Sequence, residues 1–156
     1  TDGMLAARFS ENPPKKYNFS PRSSFAPKAL LLNCGIYDFN ALMQEKGGFI
    51  FLTQNLVRDY LGRLFPSKKL LASYSPVNYI NQKFPSCFIM GANNDSLCAQ
   101  IPLLTQKLDD SGIQYTTKIY GTNDAPQNHV FHCDIKNPVA LICNEEESQF
   151  LKSFLQ

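Results

Sequence analysis

A carboxylate and an imidazole follow two strand-like segments of this sequence. Asp95 comes shortly after the apolar segment 86–90, and His129 follows the loop behind the β-branched and aromatic segment 115–120. A carboxylate that accepts a hydrogen bond from one ring nitrogen fixes the histidine tautomer and stabilises the imidazolium formed during proton transfer. Asp95 and His129 are therefore the candidate orienting acid and general base of a nucleophilic reaction.

Other residues compete for these two roles. His132 lies three residues after His129, and Asp124 and Asp134 are weaker candidates for the acid. Two non-catalytic interpretations also stay open. Asp side chains commonly form turns or cap helices, so Asp95 can be a simple turn residue, and His129 can be an ordinary histidine of a surface loop.

Three short segments have the composition of strands that could position these side chains. Segment 29–34 is a continuous apolar run closed by a glycine, and segment 86–90 is a second run of this kind. Such runs are typical of strands buried on both faces, as in a parallel sheet. Segment 115–120 is rich in β-branched and aromatic residues, which predicts a third strand.

Capping signals place helices beside these strands. Pro102 fits the first turn of a helix, and Gly112 fits its end. Asn137 followed by Pro138 is a cap-and-first-turn signal for a last helix. A further helix is predicted over residues 4–10. The predicted inner faces consist of Ile101, Leu104 and Leu108 in the first of these helices and of Phe150, Leu151, Phe154 and Leu155 in the last.

The resulting order is helix, strand, helical insertion, strand, helix, strand, helix. Such alternation predicts an α/β fold in which parallel strands are joined by right-handed crossovers and flanked by helices. Catalytic groups of these sheets gather at the carboxyl ends of the strands. We therefore expect residues 1–156 to form one domain, or part of one, with Asp95 and His129 at one edge of the sheet.

The insertion over residues 39–72 is strongly apolar and is predicted to form a lid or cap. Its second half shows a helical stripe that runs from Leu56 to Phe65 and is closed by Pro66. Side chains of the insertion could contact the acyl or alcohol part of a substrate. A packed helical hairpin without substrate contact is an equally open interpretation. The candidate substrate-binding residues are Phe49, Phe51, Leu52 and Tyr60.

The region that contains the candidate acid resembles a known family. Residues 75–80 and 84–91, together with Asp95, look like the acid-bearing region of α/β-hydrolases of the esterase and lipase kind related to hormone-sensitive lipase. The pattern continues to His129, which is followed by an apolar pair, and to residues 150–155, which are similar to the family's last helix.

This resemblance covers roughly residues 29–156 and corresponds to the C-terminal half of the family's fold. It implies a serine carboxylesterase or lipase-like enzyme that acts on short-chain carboxylic esters through a Ser-His-Asp triad. Asp95 and His129 would be the acid and the base, and the family order of acid before histidine agrees with this assignment. No metal or organic cofactor is implied.

The nucleophile of such a triad is missing from the sequence, which contains no G-x-S-x-G motif. The Leu-Ala-Ala run at 5–7 resembles the helix after the family's nucleophile and would place the serine immediately before Thr1. Asp2 then stands where the family has glycine; if Gly3 is that glycine, Thr1 occupies the nucleophile position. A His-Gly-Gly type oxyanion loop is absent as well. The chain alone is therefore expected to be inactive and to pair with an N-terminal half or with itself.

Composition excludes several other classes of function. A net charge of +2 and short basic pairs do not predict a nucleic-acid surface. No apolar run approaches the ~20 residues that span a bilayer. The five cysteines lack metal-ligand spacing, and a cytoplasmic location is the default expectation. Two alternatives to the esterase remain: a catalytically inactive hydrolase-like binding module, and a peptidase or amidase of the same fold.

Overall fold

A computed structural model of the chain describes residues 27–47 and 50–155, and its centre is a three-stranded parallel sheet. The strands are β1 (Ala29–Asn33), β2 (Ser86–Ala92) and β3 (Tyr115–Tyr120), and they lie side by side in chain order. Both neighbouring pairs run parallel. The predicted α/β class with parallel strands is confirmed.

The register of the sheet brings the carboxyl ends of the strands to one edge. Asn33 at the end of β1 is opposite Met90, and Ala92 at the end of β2 is opposite Tyr120 at the end of β3. Beyond this point Asn93 still donates its N–H to the Tyr120 carbonyl at 2.9 Å. The chain segments that follow β2 and β3 therefore leave the sheet side by side.

Within residues 27–47 and 50–155, five helices and three short 3-10 turns surround the sheet. Three of the helices lie between β1 and β2, one lies between β2 and β3, and one follows β3. In chain order the helices are α1 (Phe39–Leu42), α2 (Ile50–Leu61), α3 (Lys68–Tyr74), α4 (Ile101–Asp110) and α5 (Pro138–Lys152), and the 3-10 turns are Pro76–Tyr79, Ser96–Gln100 and Phe131–Cys133.

Helix α4 begins and ends where the sequence predicts, and α5 begins where it predicts. The predicted inner face of α5 is wrong in part: the helix ends at Lys152, and Leu151 and Leu155 are exposed. Pro102 lies in the first turn of α4, and Gly112 follows the end of this helix with a φ of 68°, a left-handed value that favours glycine. Asn137 caps α5, because its side-chain oxygen accepts a hydrogen bond from the N–H of Val139 at 2.9 Å. These two helices cover opposite faces of the sheet.

The alternation of side chains along β2 divides the main core into two layers. Cys87 and Ile89 pack on one face with the inner side of α4, and Phe88 and Met90 pack on the other face with α5. A third apolar cluster joins α1, α2 and α3 to Leu97. All four of these β2 side chains are buried, as expected for the central strand of a parallel sheet.

Strand β1 is less buried than its apolar sequence predicts. Leu32 is buried, but Leu30 and Leu31 are only partly buried. Among the described residues no strand pairs with the outer edge of β1. The expectation that β1 is buried on both faces is therefore not met by this part of the chain, and the predicted elements at 1–26 lie outside the described residues.

The predicted helical stripe from Leu56 to Phe65 is wrong in its second half. Helix α2 ends at Leu61 because Gly62 adopts a left-handed conformation with a φ of 61°. Leu64 and Phe65 lie beyond the helix, and Phe65 is 88% exposed. The outer face of α2 is also apolar and exposed, so this segment does not form the closed packing that its periodicity suggests.

Truncation of Leu108 tests the core that supports the sheet. Leu108 is fully buried on α4, whereas Leu103 on the same helix is 37% exposed. We expect Leu108→Ala to lower the free energy of unfolding by roughly 2–5 kcal/mol, since it removes buried methyl groups and leaves a cavity. Leu103→Ala should lower the free energy of unfolding by less than roughly half as much. Urea unfolding measures both; equal losses would contradict the described packing.

Candidate active site

Asp95 lies just beyond the carboxyl end of β2, and each of its carboxylate oxygens has a separate partner. Oδ1 accepts a hydrogen bond from the N–H of Leu97 at 2.9 Å and so caps the 3-10 turn that follows. Oδ2 lies 2.8 Å from Nδ1 of His129. The side chain of Asp95 is only 4% exposed. A carboxylate this buried needs such partners, because an unpaired buried charge is costly.

His129 presents its ring between this carboxylate and solvent. Because an ionised carboxylate only accepts hydrogen bonds, the 2.8 Å contact requires Nδ1 of His129 to be the donor. In the neutral ring the other nitrogen, Nε2, then carries a lone pair and can take a proton. The side chain of His129 is 50% exposed, so a substrate can approach it. The arrangement is chemically competent for general base catalysis.

The competing candidates lie in different surroundings. Nδ1 of His132 is buried without a hydrogen-bond partner among the described residues, and its Nε2 lies 3.7 Å from Sγ of Cys133. Asp134 accepts a hydrogen bond from the N–H of Lys136, and Asp124 is exposed. The structure brings Asp95 together with His129 and gives neither of the other carboxylates an imidazole partner among the described contacts.

Two asparagines fasten the His129 loop to the end of β2. Oδ1 of Asn93 accepts a hydrogen bond from the N–H of Gln127 at 2.9 Å, and its Nδ2 donates to the carbonyl of Thr122 at 3.1 Å. The N–H of Asn94 donates to the Gln127 carbonyl at 3.0 Å, and its Nδ2 donates to Oδ1 of Asn128 at 2.7 Å. We call these contacts the asparagine clamp. The clamp holds His129 within reach of Asp95, and the sequence analysis did not identify these two asparagines as part of the site.

Gly121 makes room for the asparagine clamp. Its φ is 101°, and a Cβ added at this position would lie 2.0 Å from Oδ1 of Asn93 and 2.8 Å from the N of Gln127. Both atoms belong to the hydrogen bond that closes the loop. A side chain at position 121 would therefore break this contact, which explains why the loop begins with glycine.

The backbone beside His129 is strained and anchored. Val130 adopts a left-handed conformation with a φ of 53°, which is unfavourable for a β-branched residue. Its neighbour Phe131 is buried and packs on Tyr120, with 5.4 Å between the ring centroids. Strain of this kind costs on the order of 1 kcal/mol and persists only where surrounding contacts impose it. Phe131 and the clamp impose it here.

Cys34 lies beneath the pair at the end of β1, a position that sequence reasoning assigned only to the core. Its Sγ is 3.7 Å from Sδ of Met90, and ligand atoms of Cys34, Asp95 and His129 all lie within 4.8 Å of one another. Burial raises the pKa of the Cys34 thiol to about 12; the N–H of Val130 opposes this shift, and the nearby Asp95 charge adds to it. The thiol is therefore protonated and a poor nucleophile.

A cleft of about 1280 Å³ opens above this group. Asp95 and His129 line it together with Cys34. Of the candidate substrate-binding residues, Leu52 and Tyr60 line the cleft, whereas Phe51 is exposed and is not among the described lining residues. Phe49 lies outside the described residues. Exposed Leu56 also lines the cleft, so α2 contributes an apolar wall to the cleft that His129 lines.

Comparison with solved structures identifies the fold. The chain is similar to esterase B from Lactobacillus rhamnosis, with a TM-score of 0.75 and 18% identity over 97% of this chain and 48% of that one. It is also similar to an acetyl ester-xyloside bifunctional hydrolase from Caldicellulosiruptor lactoaceticus, with a TM-score of 0.72 and 16% identity over 97% of this chain and 53% of that one. The chain is similar to another solved structure of esterase B, with a TM-score of 0.72 and 19% identity over 97% of this chain and 47% of that one. That structure contains a C4-C4 tributyrin phosphonate inhibitor.

These neighbours are esterases with the α/β-hydrolase fold, and the described sheet and helices match that fold. The chain spans about half the length of the solved structures that it matches. No protein-family model and no curated protein matches the chain. At these identities the similarity establishes the fold, while the chemistry rests on the side chains described above.

Substitution of Asn93 tests the asparagine clamp. Asn93→Ala removes one acceptor and one donor, so the N–H of Gln127 loses its partner. We expect a loss of roughly 1–3 kcal/mol in the free energy of unfolding and faster amide exchange at Gln127. Asn123→Ala, at an exposed position in the same loop, is the matched control and should change neither quantity. Unchanged exchange at Gln127 in Asn93→Ala would contradict the clamp.

Proposed function

We propose that this chain supplies the acid and the base of a serine carboxylesterase, with Asp95 orienting His129. The observation that carries the proposal is the 2.8 Å contact between Nδ1 of His129 and Oδ2 of Asp95 at the carboxyl edge of the sheet. The contact stands at the rim of an apolar cleft, and the opposite side of the imidazole is half exposed. This is the arrangement that acyl transfer to a serine requires.

The proposed reaction proceeds in two steps. Nε2 of His129 takes the proton of a serine hydroxyl while its oxygen attacks the ester carbonyl, and the imidazolium then gives that proton to the departing alcohol. In the second step His129 takes a proton from water while the water oxygen attacks the acyl carbonyl; the bond to the serine oxygen then breaks, the imidazolium returns the proton to that oxygen, and the carboxylic acid leaves. Asp95 stays ionised and stabilises the imidazolium in both steps. Neither step needs a metal or an organic cofactor.

The serine is proposed to come from outside the described residues. The sequence contains no G-x-S-x-G motif, and burial raises the pKa of the Cys34 thiol to about 12, so this thiol is not an alternative nucleophile. A polypeptide segment that carries the nucleophile and the oxyanion donors would dock against β1, at the edge of the sheet that does not contact β2. The relation to hormone-sensitive lipase-like esterases, with this chain as the C-terminal half, belongs to the same proposal.

The proposed substrates are carboxylic esters with short acyl chains. Leu52, Leu56 and Tyr60 form the apolar wall of the cleft and would contact the acyl or alcohol group, so that residues 39–72 serve as a lid. The C4-C4 phosphonate inhibitor of esterase B points in the same direction. Phe51 could join this surface only through a movement of α2, and Phe49 lies outside the described residues.

A second candidate function is binding without catalysis. The missing nucleophile motif favours a hydrolase-like module that uses the cleft to hold a small apolar ligand. A peptidase or amidase would use the same Asp95 and His129. None of the described helices is both long and apolar enough to cross a membrane. A substrate panel separates esters from amides, and inactivity on both supports the binding module.

Replacement of His129 tests the proposed base. In the polypeptide that contains this chain together with its nucleophile, we expect His129→Ala to lower kcat for p-nitrophenyl butyrate by at least ~10³-fold, because no other described imidazole contacts Asp95. His132→Ala is the control and should keep kcat within roughly threefold, provided that circular dichroism shows both variants folded. Turnover that survives His129→Ala but is lost in His132→Ala would reverse the assignment.

The unpaired edge of β1 predicts association. Among the described residues this apolar strand has a partner only on the β2 side, and such edges recruit further strands. We expect the chain alone to self-associate, and to become part of a defined complex when an N-terminal half is supplied. Size-exclusion chromatography with light scattering measures the mass. A stable monomer of 17.6 kDa that does not bind the N-terminal half would contradict this expectation.

A further inference from the structure

The arrangement of Cys34, Asp95 and His129 has a consequence that acyl transfer does not use. We propose that a thiol, a carboxylate and an imidazole from these three residues form a binding site for a divalent zinc-like ion. Ligand atoms of the three side chains lie within 4.8 Å of one another. They follow three different strands, Cys34 and Asp95 closely and His129 after a loop, so the sheet and the asparagine clamp bring them together.

The ligand set fits this class of ion. Thiolate sulfur, imidazole nitrogen and carboxylate oxygen are the zinc ligands of proteins, with bonds of ~2.0 to ~2.3 Å. A tetrahedral ion therefore holds its ligand atoms ~3.3 to ~3.8 Å apart. The observed spread of up to 4.8 Å requires a contraction of about 1 Å. The asparagine clamp holds the backbone of this loop, so rotation of the half-exposed His129 side chain supplies the movement, whereas the side chains of Asp95 and Cys34 are buried.

Charge balance supports the same ion. When the ion binds, the Cys34 thiol releases its proton to solvent, and His129 binds through one nitrogen and keeps its proton on the other. One thiolate, one carboxylate and a neutral imidazole then exactly offset two positive charges. The described residues that line the cleft include no lysine or arginine to compete with the ion. A bound divalent ion supplies the positive charge that a buried thiolate at Cys34 needs.

The site is open toward the cleft and has a polar neighbour there. Three protein ligands leave the fourth position of a tetrahedral ion to water. Asn33 precedes Cys34 and also lines the cleft, and its Oδ1 is buried without a hydrogen-bond partner among the described residues. This oxygen can accept a hydrogen bond from the bound water. An ion in this position would occupy the imidazole and the carboxylate, so metal binding and proton transfer by His129 exclude each other.

Cobalt(II) reports the coordination directly. We expect the full chain to bind one equivalent of Co²⁺ with a thiolate-to-cobalt absorption band in the near ultraviolet, and Zn²⁺ to displace it. Cys34→Ser should abolish the band, and His129→Gln, which changes a half-exposed side chain, should weaken Co²⁺ binding at least tenfold. Circular dichroism verifies that each variant is folded. If Cys34→Ser is not folded, the measurement on His129→Gln still decides the test.

Cys133→Ser is the matched control. Cys133 is exposed and has its own histidine neighbour, because its Sγ lies 3.7 Å from Nε2 of His132. The band should persist in Cys133→Ser. A band that is absent from the wild-type chain, unaffected by His129→Gln, or lost in Cys133→Ser would overturn the proposal. The absorption measurement needs no serine nucleophile. A missing cobalt band would therefore not contradict the proposed esterase chemistry, and an inactive esterase would not contradict the metal site.

Discussion

The contact between Asp95 and His129 depends on the parallel pairing of β2 with β3. Parallel strands that end at the same edge deliver their following loops to the same place, and Ala92 opposite Tyr120 fixes that place. A shift of one residue in this register would turn the side chains of β3 to the other face and move the loop before His129. The site is thus a consequence of sheet register first and of local loop geometry second.

Local geometry then departs from ordinary backbone preferences at the site itself. Cys34 and Val130 are the two described residues other than glycine with a positive φ, and both lie beside the Asp95 carboxylate group or the His129 ring. The helices farther away follow the usual capping rules. Strain concentrated where chemistry is expected, with regular structure elsewhere, is the pattern seen at functional sites. Here the asparagine clamp and the buried Phe131 hold the strained segment in place.

The sequence was sufficient to predict the three strands, helix α4, and the beginning of α5 with its cap, because apolar runs and capping residues act locally. It also singled out Asp95 and His129, through the order of strand ends and the resemblance to esterases. The asparagine clamp was not predictable, since the bond between Asn93 and Gln127 joins residues 34 positions apart and asparagine is common in any turn. The end of α2 was misplaced because Gly62 interrupts a stripe that otherwise keeps its period. Cys34 belongs to an apolar run, so the sequence assigns it to a buried strand; its approach to Asp95 and His129 joins residues far apart in the sequence and was not predictable.

The protonation of the His129 ring tests the central claim most directly. Nitrogen-15 NMR of the folded chain should show neutral His129 as the tautomer protonated at Nδ1, with that proton shifted downfield and protected from exchange by its bond to the carboxylate. Asp95→Ala should remove the downfield proton and shift His129 toward the tautomer protonated at Nε2. If the wild-type ring is protonated at Nε2, or if its signals do not change in Asp95→Ala, the two side chains do not form the pair on which the account rests.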